Sequence, residues 1–286
     1  MKQHDPIRIG RIQYTNAWPI FYHLQQETSG ERIELISKVP SELNHSLSEG
    51  LLDVSAISSF AYGLNDERYV LLPDLSVSSN GKVGSIFLFM KKSLNEVRNG
   101  SIAFTTASAT SVNLLRIIME KFLGGKPRYI TAAPDLESML KEADAALLIG
   151  DDAIRAAWSE HPYEVMDLGQ AWKEHTGLGM TFAVWAVRRA YAEDRPETVR
   201  AIYEAFQRSK QRSMADLGPV TKEACLRIGG TENFWNRYFS GLNYDFGQSQ
   251  WNGLQLYFEY AKELGLIQRT IPLRIWSNNT VVQVNS

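Results

Sequence analysis

The sequence predicts an α/β protein of two lobes with a cleft between them, and three observations carry that prediction. Strand and helix patterns alternate over residues 7–65 and again over 101–168. Two extended, apolar passages, at 69–90 and 180–187, separate these blocks and read as crossings from one lobe to the other and back. The length of 286 residues lies near the upper limit for one domain and suits two. A strand–helix–strand rhythm favours parallel strands with right-handed crossovers. Each lobe is therefore expected to hold a mainly parallel sheet flanked by helices, with residues 1–84 and 186–286 in the first lobe and 85–185 in the second.

The organising stretch is IRIGRIQYTNAWPIF, residues 7–21. Ile7, Ile9 and Ile12 give the rhythm of a buried strand, and Pro19 suits the first turn of a helix. Between them Arg11, Gln13, Tyr14, Thr15 and Asn16 fall at the carboxyl end of the strand, where open α/β sheets take their ligands. A cation, an amide and a phenol there can orient a small anion. The alternative is a turn in which Thr15 or Asn16 caps the following helix, and the residues alone leave both open.

Further along, residues 34–39 read as a second strand, and Pro40 opens a helix through Ser48. Residues 53–57 form a third strand, ending in the hydroxyl pair Ser58 and Ser59 at the start of a helix. Residues 69–80 read as extended or looped, and 85–90 as a strand reached through Gly81 and Gly84. The second block opens with a strand at 101–104 and the hydroxyl-rich run Thr105, Thr106, Ser108, Thr110 and Ser111. Ser111, Leu115, Ile118, Met119 and Phe122 then follow helical spacing. The run thus ends at a helix N-terminus, whose free amides and dipole favour anions. Strands are expected at 128–131, 145–149 and 163–168, with helices at 135–141 and 151–158. Gly150-Asp151-Asp152 marks another strand-to-helix turn, where aspartate ordinarily caps the helix or complements its dipole. Residues 180–187 suit a central strand. The late helices, with Val199, Ile202, Tyr203 and Phe206 on one face and Trp251, Leu254, Tyr257, Phe258 and Ala261 on another, are expected to pack beside the first lobe.

Hydrophobic residues make up 44% and charged residues 22%, the balance of an ordinary globular chain rather than a disordered one. Thirty basic against thirty-two acidic residues leave a net charge of −2. No global field draws the chain to nucleic acid or an acidic membrane. The single Cys225 excludes an internal disulfide and reads as a small buried hydrophobe. The five histidines are scattered without metal-ligand spacing, so no metal site is expected. MKQHDP lacks a signal-peptide pattern, and no apolar run approaches the roughly 18 residues of a membrane span. A cytoplasmic protein is expected, and the acceptor-like Asn278-Asn279-Thr280 then carries little weight. A phosphate loop, a nucleophile elbow and a Cys-His pair are all missing. The residues on their own do not separate a binding protein from an enzyme that works by orientation and electrostatics.

Four motifs carry a resemblance: GRIQYTNAWPIF, DVSAISSFAYG, GKVGSIFLF and TSVNLLRI. In order and spacing they resemble the chorismate dehydratase (MqnA) family of the futalosine route to menaquinone, over most of the chain. The sister MqnD branch typically carries a Cys-Pro-Asn-Asp type of turn where this chain has Tyr14-Thr15-Asn16-Ala17, which favours the dehydratase. The resemblance implies the two-lobed fold of type II periplasmic binding proteins and loss of water from chorismate to give 3-[(1-carboxyvinyl)oxy]benzoate. It implies no cofactor, a small-molecule substrate, and no nucleic-acid or membrane partner; it leaves the oligomeric state open. Catalytic roles are implied for Asn16 and Ser85, which would orient the substrate and polarise its departing hydroxyl. Thr110 and Ser111 would hold one carboxylate, and Arg11 the other unless it forms a structural ion pair. Tyr14, Ser59 and Gly150 complete the expected binding set. No general base stands in the motifs, and the family's answer is a carboxylate of the substrate itself. The rival classes are a solute receptor or ligand sensor without catalysis, and the sister enzyme acting on a cyclic futalosine derivative.

Overall fold

A computed structural model describes residues 5–28, 30–277 and 280–284; the Asn278-Asn279 part of the acceptor-like motif lies outside the described residues. In chain order the strands are β1 (Ile7–Ile12), β2 (Ile33–Lys38), β3 (Val54–Ser58), β4 (Tyr69–Ser79), β5 (Ile86–Met90), β6 (Ser101–Thr105), β7 (Arg128–Ala132), β8 (Ala145–Ile149), β9 (Glu164–Asp167), β10 (Met180–Arg188), β11 (Leu273–Ser277) and β12 (Thr280–Val284). They form a seven-stranded sheet in the order β12-β11-β4-β10-β3-β1-β2 and a five-stranded sheet in the order β7-β6-β8-β5-β9. Among the described residues no helix is long and apolar enough to cross a membrane.

The two-sheet α/β architecture agrees with the expectation, but the sheets are mixed rather than mainly parallel. β1 runs parallel to β2 and β3, as the strand–helix alternation requires. β10 then enters antiparallel between β3 and β4, because it brings the chain back from the other sheet. In the second sheet β6 is parallel to β7 and β8, whereas β5 lies antiparallel to β8 and β9. Residue 186, the expected point of return, falls inside β10, and every residue of that strand from Met180 belongs to the seven-stranded sheet.

Residues 69–80, read as extended or looped, form the long strand β4. Pro73 and Asp74 obscure its pattern because proline cannot donate to a ladder. The structure absorbs them in a register shift opposite Val184 and Ala186, with Asp74 at φ 54°, as a bulge does. Gly10 shows how tightly β1 is packed: a Cβ there would lie 2.2 Å from Ser55 Oγ and within 3 Å of Leu43 and Leu52. Asp53 fastens the opposite end of this region, accepting from Arg8 and Arg188 at 2.7 Å each.

The late helices reach further than expected. Helix Pro196–Ala215 does pack beside the first sheet, with Phe206 edge-on to Phe21 at 5.5 Å. Helix Gln248–Glu263 touches both units: Tyr257 meets Phe60, and Tyr260 meets Phe122. Phe122 closes a π-helical segment, Ile117–Phe122, that continues helix Ala109–Arg116. Helix Leu168–Thr176 was not anticipated. Cys225 is half-buried at the edge of the core rather than inside it.

Candidate active site

The carboxyl end of β1, the end of β3, the turn after β8 and the start of helix Ala109–Arg116 converge on one small cavity of about 30 Å³. Both sheets contribute. Its polar wall is made by Tyr14, Asn16, Ser58, Ser108 and Ser111, and Ile12, Ile86 and Phe182 supply apolar surface. Larger hollows open elsewhere, including one of about 580 Å³ beside β9. That hollow lies against the five-stranded sheet and its helices and lacks the convergence of strand ends at which α/β folds bind ligands.

The turn after β1 is a short 3-10 element, Thr15–Ala17, and neither Thr15 nor Asn16 caps a helix. Thr15 instead reaches across to the second sheet. Its backbone N–H and its hydroxyl both donate to Asp151 Oδ1, at 3.1 and 2.6 Å. Asp151 is likewise no cap: Ile149 holds the N-cap position of helix Gly150–Trp158 and makes no side-chain capping bond. Burial pushes the Asp151 carboxyl up, and the two bonds from Thr15 only partly offset this. Sequence reasoning discounted Asp151 because a local pattern does not show where a carboxylate at a helix start is aimed.

Asn16 lines the cavity, and its Oδ1 is buried without a hydrogen-bond partner. A buried amide oxygen left unpaired is costly, so this atom is poised to accept from something that enters. Tyr14 is buried, and burial, with Asp152 and Asp151 nearby, pushes its phenol up, so it stands as a neutral group. Its ring lies on Gly150, which has φ 61° and where a Cβ would meet ring carbons at 2.6 Å. Glycine is therefore required there for both conformation and space. Ser111 lines the wall beside Ser108, whose hydroxyl caps helix Ala109–Arg116 by accepting from Ser111 N–H at 3.3 Å.

The structure thus gathers Tyr14, Asn16, Ser111 and Gly150 at the cavity and sets the other four expected residues off its wall. Arg11 alternates with Gly10 and Ile12 along β1 and so faces the other side of the sheet. Its Nε is buried without a partner, and burial lowers its pKa, followed by the nearby Arg227. Ser59 turns to β10 and donates to the Thr181 carbonyl at 2.8 Å. Its neighbour Ser58 is the one that reaches the cavity, as the cap of helix Ser59–Asn65, accepting from Ala61 N–H at 3.3 Å and from the Asn44 amide at 3.2 Å. Thr110 is already engaged as an acceptor: its hydroxyl accepts from Phe60 N–H at 3.0 Å and its carbonyl from Tyr257 at 3.1 Å. Ser85 stands next to the cavity residue Ile86, with its carbonyl accepting from Gly150 N–H at 2.7 Å and its hydroxyl on Tyr238 at 2.8 Å. Ser58 and Ser108 were missed as site residues, although each sits in a hydroxyl cluster at a strand-to-helix turn. Hydroxyls, an amide and a phenol make the wall, and among the described residues no group of three or more His, Cys, Asp or Glu could hold a metal ion.

The fold is widely shared. A protein from Archaeoglobus fulgidus superposes with a TM-score of 0.74 at 22% identity, over 93% of this chain and 100% of that one. The periplasmic aliphatic sulphonate binding protein of Escherichia coli does so with a TM-score of 0.67 at 13% identity, over 94% and 96%. Such distant likeness fixes the two-lobed binding-protein fold and no ligand. Two relatives are more informative. A chorismate dehydratase of Thermus thermophilus is 33% identical over 91% of this chain and 96% of its own length. A 1,4-dihydroxy-6-naphtoate synthase of the same organism is 27% identical over 74% and 75%. Residues 7–263 match the family described as menaquinone biosynthesis. With that match running through both sheets and every wall of the cavity, the chain belongs to the menaquinone biosynthesis family.

Proposed function

We infer that this chain is a chorismate dehydratase, a hydro-lyase that removes water from chorismate to give 3-[(1-carboxyvinyl)oxy]benzoate at the start of a menaquinone route. The observation that carries this reading is the 33% identity to a chorismate dehydratase over nearly the whole of both chains. The sister activity is the weaker reading, with lower identity over a shorter stretch.

In this reading a carboxylate of the substrate takes the proton from the ring carbon that bears the enolpyruvyl ether. The C–H electrons become a ring double bond, the neighbouring C–O bond breaks with its pair on oxygen, and that oxygen leaves as water after gaining a proton. Aromatisation drives the step, so the protein's task is orientation. Asn16 accepts from the substrate through its unpaired Oδ1, and Ser85 gives a hydrogen bond to the departing hydroxyl. Ser58, Ser108 and Ser111, at two helix starts, receive a carboxylate in place of the Thr110 first assigned to it. Gly150 lets Tyr14 close over the ring. The seven-stranded sheet forms lobe one and the five-stranded sheet lobe two, with the first crossing at the expected 84/85 and the return crossing drawn back from the expected residue 186 to the segment before Met180. The enzyme works in the cytoplasm.

The test is to incubate the purified chain with chorismate and follow products by chromatography and mass. Formation of 3-[(1-carboxyvinyl)oxy]benzoate above the spontaneous background is expected. Chorismate that binds and survives would overturn the enzyme reading in favour of a receptor or sensor.

A further inference from the structure

Behind Ser85 stands a buried tyrosine that the reaction scheme does not use. Tyr238 belongs to helix Glu232–Gly241 and is 7% exposed. Its ring stacks on Phe234 at 6.0 Å and meets Trp235 edge-on at 5.6 Å. Phenylalanine would fill that space equally well. A buried phenol costs free energy unless its hydroxyl is paired, and this hydroxyl is paired with Ser85, donating to Oγ at 2.8 Å. Ser85 is fully buried, and among the described residues its hydroxyl proton has no recorded acceptor. A serine hydroxyl offers one proton and two lone pairs. By filling a lone pair, Tyr238 fixes the rotamer and leaves the proton free.

We propose that Tyr238 is a positioning residue for Ser85: its hydroxyl holds the serine so that the serine proton stays available to the departing hydroxyl of the substrate. The proposal rests on the dehydratase reading and adds no proton transfer to it. Tyr238 touches no substrate and acts only through Ser85.

The test is a double-mutant cycle on the full chain with chorismate, comparing wild type, Tyr238→Phe, Ser85→Ala and the double variant by kcat, KM and melting temperature. Tyr238→Phe keeps the ring packing, so melting is expected to stay close to wild type. Its kcat is expected to fall about tenfold, the scale of one lost hydrogen bond, with KM within about twofold. In the Ser85→Ala background the same change should cost nothing further, because the partner is gone. A wild-type kcat in Tyr238→Phe, or an equal fall in both backgrounds, would overturn the proposal and leave Tyr238 a packing residue. A wild-type chain that does not convert chorismate would instead overturn the functional reading, and the role of Ser85 with it, before any variant is compared.

Discussion

At atomic scale Asn16 carries an amide oxygen that is buried at the cavity and has no hydrogen-bond partner among the described residues. An atom left unpaired in this way costs on the order of 1–3 kcal/mol, a cost that packing alone would remove by choosing another side chain. Asn16→Ala is therefore expected to move stability and activity in opposite directions. The melting temperature should hold or rise, while kcat on chorismate falls about a hundredfold, the usual scale for losing one preorganised polar contact. Calorimetry beside steady-state kinetics reads both. A variant that loses stability and keeps its rate would make Asn16 structural. At this scale the sequence was half legible. Its polar run at the end of β1 pointed to Tyr14 and Asn16, but the strand period that puts Ile12 on the cavity turns Arg11 away, and a lone guanidinium gives no sign of which face it takes.

Hydroxyl and carboxyl groups at helix starts are the features that a local pattern reads least well, because a cap and a long-range contact use the same residue types at the same positions. Asp151 had the look of a cap and is an acceptor for Thr15 from the other sheet. Thr110 had the look of an anion donor and accepts instead from Phe60 N–H. The hydroxyl-rich run was legible as the start of a helix at the cleft, and Ser108 and Ser111 do meet there. Only the assignment within the run needed coordinates. Thr110→Val separates the two roles. It keeps the shape of the side chain and strips Phe60 N–H of its acceptor, a buried donor left unpaired at about 1–3 kcal/mol. The expected outcome is a melting temperature lower by roughly 2–10 °C for a chain of this size, with KM unchanged. A raised KM at unchanged stability would return Thr110 to the carboxylate.

The whole molecule was legible as alternation and illegible as pairing. Strand–helix rhythm gave the α/β class and the two sheets. The antiparallel insertion of β10 and the strand hidden behind Pro73 and Asp74 depend on partners more than a hundred residues away. That long-range pairing has a mechanical consequence at the cavity. About 30 Å³ is room for one or two waters, far less than a ring with two carboxylates needs, so the two sheets must part before substrate enters. One of the contacts that oppose parting is Thr15 on Asp151, two hydrogen bonds to one carboxylate oxygen, each worth roughly 1.5–3 kcal/mol. Because these bonds exist only with the sheets together, Asp151→Ala shifts the balance toward the open form that admits substrate, and the apparent affinity for substrate rises with that competent fraction. KM is expected to fall about tenfold, and small-angle scattering of the ligand-free variant should show a larger radius of gyration than the ligand-free wild type. Equal scattering together with equal KM would show that Asp151 does not govern closure.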